Sequence, residues 1–239
     1  MRFTARSRFA FVAAILAATL SVGTRADTLH TTNFVATPAD IYTVHRDSHA
    51  QTVYVGGFIG VFDLVDIVFW CYDLDHTFSF NQNYDYTETP MADATREGQL
   101  ARLFDEAYAH AISDGPDASA AFQLAIWNIG YDTDVSVSPP GSTTNHFWAT
   151  APNPAGSTAR DLANTWLQHL NDFTGDGWTV SQLVSTPDQA GNHHQNFITA
   201  TYRPPQRDLP EPSALALVLL AMAGCVLTLR FRGECARGG

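Results

Sequence analysis

The 239-residue chain contains no lysine. All 13 of its basic residues are Arg, set against 24 Asp and Glu. Between Asp27 and Leu209 there are 6 Arg and 22 acidic residues. A surface that acidic repels nucleic acid and anionic lipid headgroups, which argues against DNA or RNA as a partner. A GC-rich genome that prefers Arg also accounts for the missing lysine. Cysteine is scarce as well: only Cys71, Cys225 and Cys235. No internal repeat is visible. Hydrophobic residues make up 45% of the chain and charged residues 15%, enough apolar surface for a packed core and too little charge for disorder by composition.

Both ends read as addresses. Arg2, Arg6 and Arg8 precede an apolar run from Phe9 to Val22, and Thr24-Arg25-Ala26 places small residues where a signal peptidase cuts. Residues 1–26 are expected to be a signal peptide, with the mature chain starting at Asp27. At the other end, prolines at 204, 205, 210 and 212 make residues 204–212 a stiff, extended linker. Ser213–Leu229 is apolar or small throughout and about 25 Å long as a helix, enough for one crossing of a thin bilayer. Arg230 and Arg232 then hold the tail, residues 230–239, in the cytoplasm.

The order Pro210-Glu211-Pro212, apolar helix, Arg230 and Arg232 resembles the PEP-CTERM sorting signal of Gram-negative envelope proteins, although Gly233–Gly239 is longer than the usual short Arg cluster. The resemblance implies an inner-membrane-anchored precursor, cut by an exosortase-type protease and passed to the cell surface or extracellular matrix. A plain single-pass anchor is the alternative.

Removal of the tail would leave Cys71 as the one thiol of the mature protein, unable to form an internal disulfide in an oxidising compartment. Between the two ends, residues 27–203 read as one α+β domain with an antiparallel sheet. Strands are expected at Ile41–Arg46, Gln51–Phe62 and Leu64–Asp73, the second bent or bulged at Gly56-Gly57 and Gly60. Thr77–Phe80 and Asn83–Thr87 look like a hairpin around Asn81-Gln82, and Trp178–Ser185 and Gln195–Tyr202 like a further pair. Three helices are inserted among the strands, over Thr95–Ile112, Asp117–Ile129 and Thr158–Leu170, the last with Ser157 as its cap candidate. Residues 133–157 read as a long surface loop.

Two segments carry candidate chemistry. Phe69-Trp70-Cys71-Tyr72 ends a strand. Ala121-Phe122-Gln123-Leu124-Ala125-Ile126-Trp127 lies in a helix apolar on nearly every side, where a buried Gln must find partners or cost free energy. Attack of the Cys71 thiolate on the Gln123 side-chain carbonyl would expel ammonia and leave an internal thioester. That electrophile would acylate an amine or hydroxyl on a partner once, without turnover. At these residues the chain resembles the thioester domains of Gram-positive surface adhesins, which pair an aromatic-Cys-hydrophobic strand motif with a T-Q-x-A-hydrophobic-W helix motif. Trp70-Cys71-Tyr72 matches the first, and Gln123, Ala125, Ile126 and Trp127 the second; Phe122 stands in place of the Thr. The resemblance implies a barrel-like part, a helical part, the bond between them, and covalent adhesion. A chain without lysine is also safer from its own amine-seeking electrophile.

The alternative is ordinary packing, with Gln123 bonded to backbone and Cys71 inert, in a non-covalent structural or polysaccharide-matrix protein. An enzyme ranks third. Asp63, Asp66, Asp73 and Asp75 could serve as an acid/base pair but suit a solvated strand face. Cys71 with His76 lacks an orienting third group. His146, His169 and His193-His194 fit no metal-ligand spacing, and Asp172–Gly177 lacks the calcium-loop pattern. No metal, cofactor or catalytic turnover is expected.

Overall fold

The computed structural model describes residues 26–204, apart from 38, 140–145 and 152–157. The expected signal segment, the motif Pro210-Glu211-Pro212, the membrane helix 213–229 and its flanking Arg230 and Arg232 lie outside the described residues. No helix among the described residues is long and apolar enough to cross a membrane.

In chain order the described elements are β1 (Asp27–Phe34), β2 (Asp40–Arg46), β3 (His49–Val55), β4 (Phe58–Phe62), β5 (Val65–Cys71), β6 (Asn83–Pro90), α1 (Ala94–Ser113), α2 (Pro116–Tyr131), β7 (Phe147–Thr150), α3 (Thr158–His169), a 3-10 turn (Leu170–Asp172), β8 (Trp178–Ser185) and β9 (Phe197–Tyr202). Six strands close an antiparallel barrel in the order β1-β4-β5-β9-β8-β6, and β3-β2-β7 form a separate antiparallel sheet. The helices lie between β6 and β8 in the chain.

Strand alternation explains how the layers meet. On β5, Phe69 points into the barrel, with its ring 4.8 Å from Phe197 and 5.8 Å from Phe58. Trp70 points the other way, onto Phe122 of α2 at 4.7 Å and Phe104 of α1 at 5.6 Å. This end of β5 is therefore buried on both faces. Helix α2 is the central element, buried along nearly its whole length. Pro116 opens it with a fixed φ at a position that needs no N–H donor, and Asp93 caps α1 by accepting from the N–H groups of Thr95 and Arg96 at 2.9 and 3.1 Å.

Three expectations need correction. Gln51–Phe62 is two strands in two different sheets, because the chain leaves β3 and enters the barrel at Gly56-Gly57. A Cβ at Gly57 would lie 2.6 Å from Trp70 Nε1, so the crossing depends on glycine. The expected hairpin at 77–87 is absent. β6 pairs with β1 and β8, while Phe78 and Phe80 turn onto the aromatic core, 5.0 and 5.9 Å from Phe58. The stretch 133–157 is not all loop, since Phe147–Thr150 adds β7 to the edge of β2. The expected pair at the C-terminal end is present as β8 and β9.

Gly57→Ala is expected to destabilise the domain by about 1–3 kcal/mol in urea titration, the usual cost of overpacking, because Trp70 is wedged between two helices and has nowhere to move.

Burial raises Asp40 to about 6, with the neighbouring Asp117 adding to the rise. Burial followed by the Asp172 charge raises Glu106 to about 7. Both folded values exceed the ordinary 3.8 and 4.5, so the folded state binds protons that the unfolded chain releases. Their stabilising contribution is full below about pH 4 and is lost as pH rises through 6 to 7. His146, raised by its bond to Asp47, acts in the same direction. Asp75, Asp114 and Asp188 are lowered from 3.8, so their contributions fade only in more acid solution. The urea midpoint should therefore be higher at pH 5 than at pH 8, and Glu106→Gln should shrink that difference. A midpoint that rises toward pH 8 would contradict the assignment.

Candidate functional site

The site begins at an unfinished ladder. β4 pairs with β5 from Phe62–Val65 to Phe58–Phe69; the same register would put Gly56 opposite Cys71, but the chain turns away there. Gly57 C=O accepts from the Val35 N–H at 2.8 Å instead. On the other edge of β5, the Tyr72 N–H bonds to Asn196 C=O at 2.8 Å. Ladder bonds alternate between edges, so the N–H and C=O of Cys71 face the gap left by β4.

Gln123 fills that gap. Cys71 N–H donates to Gln123 Oε1 at 2.8 Å, and Gln123 Nε2 donates to Cys71 C=O at 2.7 Å. The carboxamide thus stands where a β4 peptide group would have been. One turn earlier on α2, Ser119 Oγ accepts from Gly57 N–H at 2.9 Å. Two polar side chains four residues apart share a helix face and seal both sides of the point where β4 and β5 part. Gln123 is 1% exposed and Cys71 8%.

The arrangement has chemical content. A carboxamide bonded to both the N–H and the C=O of one residue lies opposite that residue's Cα. Its plane then follows the hydrogen-bonding plane of the strand, whereas Cβ leaves that plane with the pleat. The Cys71 Cβ therefore stands out of the carboxamide plane, on the side of a face rather than an edge, and a carbonyl carbon is attacked from its face. The Cys71 N–H already points at the oxygen on which negative charge would develop. Against this, burial, and then the Asp73 charge, push the Cys71 thiol well above its ordinary range, so the thiolate is costly.

A cavity of about 270 Å³ reaches this point, with Cys71 and Trp127 in its lining beside Phe58, Phe78, Phe80 and His76. A larger concavity of about 960 Å³ lies over β4, β5 and β9 and is lined by neither Cys71 nor Gln123.

Several residues matter here in roles that the sequence did not assign them. Asp73 organises the turn after β5: its carboxylate accepts from the N–H groups of Asp75, His76 and Asn196 at 3.2, 3.0 and 2.7 Å. Tyr131, the last residue of α2, accepts from Leu74 N–H through its hydroxyl at 2.9 Å. An Asp two residues before a turn is a legible signal of this kind; Ser119, one turn before Gln123, is a second. The four acidic candidates do not converge, since Asp63 and Asp66 flank the β4–β5 hairpin while Asp73 and Asp75 follow the opposite end of β5, where Asp75 pairs with Arg46. The candidate histidines are dispersed: His146 bonds to Asp47, His169 lies near Glu106, and His194 near Asp188. Asp172–Gly177 is the turn between α3 and β8.

Gln123→Leu would strand two buried backbone groups at about 1–3 kcal/mol each. A total loss of about 2–5 kcal/mol is expected in chemical denaturation, well beyond that of Ser119→Ala. A loss below about 1 kcal/mol would mean that water reaches the gap.

No family model, curated protein or solved structure matches the chain.

Proposed function

We propose that Cys71 and Gln123 condense to an internal thioester, and that the protein is an exported, exosortase-sorted adhesin. It would attach covalently to an amine or hydroxyl on a surface or matrix partner. The observation that carries this reading is the paired hydrogen bond between the Gln123 carboxamide and the Cys71 backbone. In the condensation the Cys71 Sγ bonds to Gln123 Cδ, the Cδ–Nε2 bond breaks, and the thiol proton leaves with the nitrogen as ammonia. The Cys71 N–H steadies the oxygen throughout. The high cost of the thiolate is tolerable because the step occurs once per molecule, during maturation, rather than in a catalytic cycle. The 270 Å³ cavity opens on the Cys71 side of the bond, the side from which a partner's nucleophile would approach.

A second reading has an observation in its favour. The same two bonds satisfy Gln123 fully as a structural group, and burial raises the thiol. Cys71 would then be inert, in a non-covalent structural or polysaccharide-matrix protein.

Intact-mass spectrometry separates the two. With a thioester, the purified protein weighs one ammonia less than its sequence. Methylamine adds its own mass and frees one thiol, and Cys71→Ala or Gln123→Ala abolishes the deficit. A full-mass wild-type protein with an unmodified Cys71 thiol would leave the structural reading.

A further inference from the structure

The cavity over Cys71 also bears on what the thioester would react with. Phe58, Phe78, Phe80 and Trp127 give it aromatic walls, and among the described residues no carboxylate lines it. An ammonium group entering there would meet no carboxylate in the lining and would lose its hydration. Trp127 is 2% exposed, and its indole N–H has no hydrogen-bond partner among the described residues. Two amide side chains, Gln51 and Gln195, lie in the polar part of the lining. Each is held in place because its Nε2 donates to a backbone carbonyl, Leu74 and Asp73 respectively. Aromatic faces with fixed amides and no carboxylate in the lining suit a neutral polyol better than a cation.

His76 also lines the cavity. Its Nδ1 lies 3.3 Å from Asp73 Oδ1, and Asp73 is itself fixed by three backbone N–H groups. That contact leaves Nε2 for a guest, and the side chain is 41% exposed at the rim. A hydroxyl, unlike a free amine, needs a base to attack an acyl carbon. The other ionisable groups nearby are His193, with its ring 6.3 Å from that of His76, and Asp75, paired with Arg46.

On the reading that the thioester forms, we propose that its acyl acceptor is a saccharide hydroxyl, with His76 as the general base. The hydroxyl proton passes to His76 Nε2 as the oxygen bonds to Gln123 Cδ. The Cδ–Sγ bond breaks, and the Cys71 thiolate takes the proton back from His76. The product is an ester and a free thiol.

The test uses the purified full-length chain with glucose or Nα-acetyl-lysine at equal concentration and neutral pH, followed by intact mass. Glucose should add its whole mass, free one thiol, and react faster than acetyl-lysine. His76→Ala should keep the ammonia deficit yet slow the glucose reaction by about 100-fold, against about threefold or less for methylamine, which needs no base. A wild-type protein that carries the deficit but takes acetyl-lysine faster than glucose would overturn the saccharide assignment and leave the thioester standing. Equal glucose rates in wild type and His76→Ala would remove the base. A wild-type protein without the deficit would end both.

Discussion

The structure depends on how one strand edge is finished. β5 runs past the end of β4, and its last residue, Cys71, would otherwise bury an N–H and a C=O without partners. The Gln123 carboxamide meets both, at 2.8 and 2.7 Å. That requirement places α2 directly against the barrel, and it explains why a helix apolar on nearly every side carries a Gln in its middle. The same contact accounts for Ser119 one turn earlier and for Gly57, where any larger residue would strike Trp70.

Two opposed effects follow from that burial. It orders the carboxamide beside the thiol and shields it from water, and it raises the thiol away from its reactive form. For a repeated catalytic step the second effect would be disabling. For one condensation in the lifetime of the molecule, orientation counts for more than the thiolate population. The product would also relieve the constraint, because a thioester needs no ionised sulfur. On the proposed reading, the cavity lined by Phe58, Phe78 and Trp127 would be the side from which a partner approaches that bond.

Much of the helical half was legible in the sequence. Asp114-Gly115-Pro116 punctuates α1 and α2, and the apolar spacing of Leu162, Trp166 and Leu167 gives α3 its inward face. The barrel was harder to read. β1 turns only Leu29 and Thr31 fully inward, too little apolar patterning to mark a strand. β7 has four residues inside a polar stretch. The switch of sheets at Gly56-Gly57 breaks what reads as one strand, and Phe78 and Phe80, aromatic enough for a strand, serve as core residues without pairing. Within the site, Cys71 and Gln123 stood out because a lone thiol and a mid-helix amide both need an explanation. The manner of their meeting did not, since it depends on where β4 turns away. The placement of His76 depends in the same way on the turn that Asp73 organises, a tertiary arrangement with no periodic signature.

A crystal structure of the purified protein tests the central claim most directly, because the two states differ at a single bond. With the thioester formed, density runs continuously from Cys71 Sγ to Gln123 Cδ. The Cys71 N–H still donates to Oε1, but nothing remains to donate to the Cys71 carbonyl. An intact carboxamide that keeps both bonds to the Cys71 backbone, beside a separate thiol, would contradict the claim and make Gln123 a structural seal at the strand edge.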